Sequence, residues 1–190
     1  MKMKNSPQTL QGFTLLELLI TLSIAAILVS LTAPSFQQTI DNNRLNTLND
    51  KLLTFLRAAR TEALSRSRAI TVCPSNDQAT CSGSWGDGWI MFVDNDADRV
   101  LDNGDDELLK AGDSGLEGYS VSLISDVSDS AQFNNEGRSV ERGTYQLCGP
   151  NSTNSDARGI IMQLSGALRY ALDSDSDGVR ETHAGADLSC

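Results

Sequence analysis

The chain has 190 residues, with 25 acids against 15 bases and a formal charge of −10 at neutral pH. That balance repels nucleic acid and anionic lipid surfaces overall, which argues against both as binding targets of an exported domain. Apolar residues at 39% and charged residues at 21% are those of an ordinary globular domain, and the length left after the first apolar run is enough for one core but hardly two.

The amino end begins MKMKNSPQTLQG, with Lys2 and Lys4 and no acid. From Phe13 to Ala33 the chain is apolar apart from Glu17, about the ~20 residues that a helix needs to cross a bilayer's hydrocarbon. Residues 13–33 therefore predict a transmembrane helix. The basic flank keeps its amino end cytoplasmic and exports the rest. Thr32-Ala33-Pro34 offers no A-x-A cleavage pattern after the run. Processing ahead of it, at Gly12-Phe13, would keep the apolar helix as the mature amino terminus.

Gly12-Phe13-Thr14-Leu15-Leu16-Glu17 resembles the type IV prepilin signature, with a basic leader, a cleavage-site glycine, an N-methylated phenylalanine and an intramembrane glutamate. The resemblance implies a leader over 1–12, cleavage after Gly12 by a prepilin peptidase and methylation of Phe13. Pro34 falls where many pilin helices carry a kinking proline. An ionised carboxylate in hydrocarbon costs roughly 2.5 to 3.5 kcal/mol on insertion scales, so Glu17 needs a partner or a task. One reading has it snorkel to nearby headgroups. The resemblance implies the other: Glu17 meets the α-amino group of Phe13 in a neighbouring subunit as the chain leaves the membrane for a filament.

Beyond Pro34, Phe36, Ile40, Leu45, Leu48, Leu52, Phe55 or Leu56, Ala59 and Ala63 recur at mostly three- to five-residue steps. This spacing predicts an amphipathic continuation over 34–68, ending near Arg66, with its apolar stripe on the globular domain and Asp41, Asn42, Asn43 and Asn49 facing water. Arg57, Arg60, Arg66 and Arg68 suit the negative end of the helix dipole better than an anion site.

From Ala69 the period shortens to AITVC, GWIMFVD, ELLKA, YSVSLI, AQFN, GTYQLC, GIIMQL and ALRYA, separated by Gly, Asn and Asp. Such segments without an intervening helix predict one antiparallel sheet or two packed sheets over 69–190. The expected class is α+β, a long N-terminal helix on antiparallel sheets. Trp89 is expected in the core, and Trp85 either in the core or at an exposed contact.

Four cysteines in an exported domain imply two disulfides, with three pairings open. The expected pairing joins Cys73 to Cys81 and Cys148 to Cys190, worth about 2.6 and about 4 kcal/mol in the chain-entropy model. Metal binding by these cysteines lacks a Cys-x-x-Cys spacing and has only His183 to add.

The helix end from Arg57 to Arg68, Val72-Cys73, the run Gly86 to Asp94, Phe133-Asn134 before Gly137-Arg138, and Thr144 to Cys148 resemble the FimU, FimT and GspH family of minor pilins and pseudopilins. The resemblance implies a pilin-like fold and a low-copy subunit of a type IV pilus or of a type II secretion pseudopilus. Partners would be other minor and major pilins or pseudopilins. The implied location is the bacterial inner membrane, single-pass with a periplasmic domain, and then the filament. The FimT branch binds DNA through Gly-Arg-x-Arg. Here the matching Gly166-Ala167-Leu168-Arg169 keeps only Arg169, followed by Asp173, Asp175 and Asp177, so nucleic acid is not an expected partner.

Two acidic runs resemble the start of a calcium loop: Asp94-Asn95-Asp96-Ala97-Asp98, and Asp173-Ser174-Asp175-Ser176-Asp177-Gly178. Arg99 replaces the loop glycine in the first, and Ala184 replaces the twelfth-position Glu in the second. Asp173, Asp175 and Asp177 make the better Ca²⁺ candidate, against solvated turns as the alternative; no other cofactor is expected. His183 is solitary and no Gly-x-Ser-x-Gly appears, so no enzyme is expected.

Overall fold

A computed structural model describes residues 12–102, 104–125 and 129–190, and for residues 29–35 the backbone alone. The first eleven leader residues and the side chains of Pro34 and of the last part of the expected span lie outside those described.

Helix α1 spans Leu15–Arg66, eight strands follow in chain order among the described residues, and contacts divide the chain into a unit ending at Ile40 and a unit over 41–190. In the first unit every side chain from 12 to 28 is exposed. Thr14 caps the helix: its hydroxyl accepts from the Glu17 N–H at 3.2 Å, and its carbonyl from the Leu18 N–H at 3.1 Å. Among the described residues no helix is long and apolar enough to cross a membrane.

In the second unit, Leu45, Leu48, Leu52, Leu56, Ala59 and Ala63 are buried in the main core, as their spacing predicts. Two positions differ. Phe36, expected on the stripe packed against the domain, is two-thirds exposed and belongs to the first unit. Asn49, expected in water, is buried, because Leu48, Leu52 and Leu53 widen the apolar face around it.

The strands are β1 (Ile70–Pro74), β2 (Gly88–Val93), β3 (Glu107–Asp113), β4 (Ser120–Ser125), β5 (Ala131–Phe133), β6 (Gly143–Cys148), β7 (Arg158–Met162) and β8 (Leu168–Tyr170). They form two antiparallel four-stranded sheets, ordered β3-β2-β1-β5 and β4-β6-β7-β8. A short 3-10 turn at Asn154–Asp156 reads in the sequence only as a polar loop.

Alternation explains the layering. On β2, Trp89, Met91 and Val93 enter the main core with α1, while Ile90 and Phe92 point the other way into a cluster with Cys73, Leu101 and Ala111. On β7, Ile160 and Met162 enter the main core and Ile161 joins Ala157, Ala171 and Leu188. Each sheet thus has a second, smaller apolar layer: the 94–106 loop contributes Leu101 to one and the carboxyl-terminal segment Leu188 to the other.

Candidate functional site

The amino-terminal end of α1 presents Gly12 in open space and Phe13 almost fully exposed, with Glu17 in the first turn. The polar side chains further along satisfy themselves. Thr21 donates to the Leu18 carbonyl at 2.9 Å and Ser23 to the Leu19 carbonyl at 2.8 Å, so neither hydroxyl demands water. Such a surface can be covered by lipid or by other helices without stranding a donor. Thr14-Leu15-Leu16-Glu17 also has the T-x-x-E form of a capping box, legible in the sequence; the Thr14 hydroxyl makes its half by accepting the Glu17 N–H, and the form sets Glu17 in the first turn, at the positive end of the dipole.

Both disulfides close with the expected partners. Cys73 and Cys81 are bonded at 2.01 Å across eight positions, and Cys148 and Cys190 at 2.00 Å across 42. Within the short loop, Asp77 accepts from the Ala79 and Thr80 N–H groups and from the Thr80 and Ser75 hydroxyls, which hold its carboxyl well below the usual carboxylate range. The tail is fixed by more than sulfur. Gln146 donates to the Ser189 carbonyl at 2.6 Å and accepts from its N–H at 3.1 Å, while Leu188 is fully buried.

Each acidic run gathers three carboxylates, with one oxygen from every member within 4.8 Å of the others. In the second, Asp173, Asp175 and Asp177 are exposed and accept backbone N–H groups from Ser176, Gly178, Asp177 and Val179. Glu181 closes this loop by accepting the Ser174 N–H, which pulls its carboxyl below the ordinary glutamate value. Asp187 is pushed up, first by the charge of Asp177, then by partial desolvation and by Asp175, Glu181 and Asp173.

The first run is built differently. Asp94 follows β2 directly and is buried, its Oδ2 accepting from the Thr71 hydroxyl at 2.6 Å, the Gln132 amide at 2.8 Å and the Arg99 N–H at 3.0 Å. Its Oδ1 is enclosed without a hydrogen-bond partner. A buried polar atom left bare costs about 1 to 3 kcal/mol. Asp96 and Asp98 are exposed, and the Arg99 side chain reaches Glu141 at 3.3 Å. The sequence marked this run as the weaker of the two; the burial of Asp94 was not visible there.

Arg169 lies exposed on β8, donating weakly to the Tyr170 carbonyl at 3.4 Å. The glycine of its Gly-x-x-Arg stretch has a structural task, because Gly166 (φ +75°) turns the chain between β7 and β8 with the Gly137 carbonyl against its Cα. The helix-end arginines are also engaged: Arg60 donates to the Gly137 carbonyl at 2.9 Å, Arg66 bridges Glu62 and Glu107, and Arg68 bonds Asn95. Trp85 and Trp89 are both buried, which resolves Trp85 in favour of the core.

Two family models match. Residues 49–166 match the type II transport protein GspH, and residues 11–33 match the prokaryotic N-terminal methylation motif. Two crystal structures of the type IV minor pilin FimU from Pseudomonas aeruginosa strain PAO1 share the fold. One, in space group P21, has 20% identity and a TM-score of 0.55, over 78% of this chain and 96% of that one. The other, in space group P65, has 19% identity and a TM-score of 0.51, over 67% of this chain and 93% of that one. No curated protein matches the chain.

A methylation-type amino terminus running through one long helix into two antiparallel sheets defines a type IV pilin-like subunit, a minor pilin or pseudopilin. The chain belongs to the GspH family, whose model covers more than half of it. Membership carries a membrane-anchored role in a pilus or pseudopilus and assembly with other pilins or pseudopilins.

Proposed function

We propose that the chain is a minor pilin of the FimU kind, which lays α1 into the core of a type IV pilus and joins other minor pilins in priming assembly. A prepilin peptidase removes residues 1–12, Phe13 is methylated, and residues 13–33 hold the subunit in the bacterial inner membrane with the rest in the periplasm. The observation that carries this reading is the continuous exposure of apolar side chains from Leu15 to Leu28 around a single carboxylate, Glu17. Water is a poor solvent for that surface, and both lipid and sister helices cover it. In lipid Glu17 is costly; beside the charged amino group of Phe13 in a neighbouring subunit it is compensated. The chain acts as the peptidase's substrate and as a structural subunit, with no catalytic residue of its own.

Glu17→Gln and Glu17→Ala test this together. Gln keeps the capping-box geometry and removes the charge, whereas Ala removes both. Both variants are expected to lose incorporation into pili. Normal incorporation of Glu17→Gln would show that the cap, and not charge pairing, is what Glu17 supplies.

A second reading, a pseudopilin of a type II secretion system, is favoured by the match to GspH over residues 49–166. Deletion separates the two: loss of surface pili supports the first, and loss of protein secretion with pili intact supports the second. DNA capture is the weaker reading, since Arg169 on β8 is the single arginine of its Gly-x-x-Arg stretch and Gly166 serves the turn before that strand.

A further inference from the structure

We propose that the loop following β2 is a binding site for a hard divalent cation of the size of Ca²⁺, held by the carboxylates of Asp94, Asp96 and Asp98. Convergence of acids is common on protein surfaces and by itself means little. In the second acidic run all three carboxylates are exposed and accept backbone N–H groups, as Asp96 and Asp98 of the first also do, from the Asp98 and Val100 N–H groups.

Asp94 is the difference. It is 1% exposed, and its two oxygens have opposite fates. Oδ2 takes three donors, from Thr71 on β1, Gln132 on β5 and the Arg99 backbone. Oδ1, enclosed beside it, takes none. Buried carboxylates are paired, hydrogen-bonded or bound to metal, and this one has half its acceptor capacity bare in the group that converges with Asp96 and Asp98.

The electrostatics point the same way. The Arg99 guanidinium that could have neutralised the loop is turned to Glu141. Asp102 is pushed above the usual carboxylate range, first by partial desolvation and then by Asp98, Asp106, Asp96 and Asp105, which places further negative charge around the same loop. An all-oxygen donor set suits Ca²⁺, whereas Zn²⁺ favours nitrogen and sulfur and Mg²⁺ demands near-octahedral geometry. Arg99 adopts φ +71°, the backbone conformation that glycine supplies at this place in calcium loops. Bound there, the cation would tie together the ends of β1, β2 and β5 through Asp94, Thr71 and Gln132.

The test is calorimetric titration of the detergent-solubilised full chain with CaCl2 in a Mg²⁺-containing buffer. The wild type is compared with Asp96→Asn/Asp98→Asn and with Asp173→Asn/Asp175→Asn/Asp177→Asn. The first pair is exposed, so the test does not depend on a buried Asp94 variant that could fail to fold. A saturable Ca²⁺ event is expected in the wild type, weakened about tenfold or more by Asp96→Asn/Asp98→Asn and unchanged by the triple variant. A flat wild-type trace at millimolar Ca²⁺, or any other pattern across the variants, overturns the proposal. Subunit incorporation into pili plays no part in this readout.

Discussion

Trp85, in the loop before β2, meets Tyr145 in the middle of β6 edge to face, with ring centroids 4.8 Å apart and planes at 80°. The contact packs the loop before β2 onto the sheet that holds β6. Trp85 is also anchored by its indole N–H to the Asp129 carbonyl at 3.0 Å. Trp85→Ala is therefore expected to cost about 3 to 5 kcal/mol in chemical denaturation.

Tyr145→Phe should behave oppositely. The Tyr145 hydroxyl is buried without a hydrogen-bond partner, and burial, then the charge of Glu141, pushes its phenol well above its ordinary value. Removing an unsatisfied hydroxyl while keeping the ring is expected to leave stability unchanged or raise it by up to about 1 kcal/mol. A loss as large as that of Trp85→Ala would show a partner for this hydroxyl.

Gly166→Ala is expected to be among the most damaging single-methyl additions. Its Cβ would lie 1.9 Å from the Gly137 carbonyl oxygen, at a φ of +75° that side chains rarely adopt. Backbone strain and the clash together predict a loss of more than about 2 kcal/mol. The thermal midpoint of the purified chain reads it directly.

The disulfides should rank by loop length. In the chain-entropy model, replacing Cys148 and Cys190 with Ser costs about 4 kcal/mol, against about 2.6 for Cys73 and Cys81. Equal losses in urea titrations would mean that the contacts of Gln146 and Leu188 hold the tail without the bond.

Acid should weaken the Cys73–Cys81 loop through Asp77. Its carboxyl is lowered chiefly by the Ala79 N–H, then by Thr80 and Ser75. A depressed acid contributes stability above its unfolded value, near pH 4, and loses it as the pH falls toward the folded value. Asp77→Asn should thus be destabilising at neutral pH, with its deficit against the wild type shrinking below about pH 4. A deficit independent of pH would assign the effect to geometry alone.

The strands were legible because β-branched and aromatic runs such as Gly88 to Val93 are cut by Gly, Asn and Asp on both sides. Their order was not: β5 follows β4 in the chain yet pairs with β1, a choice made by the core and by no local signal. Phe36 was misplaced because a helical stripe does not show how far along the helix it is buried, and Asn49 because the stripe does not show how wide the buried face is. Asp94 was underrated for a related reason, since the groups that bury and bond it, Thr71 and Gln132, lie 23 and 38 residues away.

The intact mass of the protein taken from pili or membranes tests the central claim most directly, because it asks whether the apolar helix is the mature amino terminus. The expected mass lacks Met1 to Gly12 and carries one added methyl group, on Phe13. A chain that keeps Met1, or one that starts beyond Ala33, would contradict a subunit that passes from lipid into a filament on this helix.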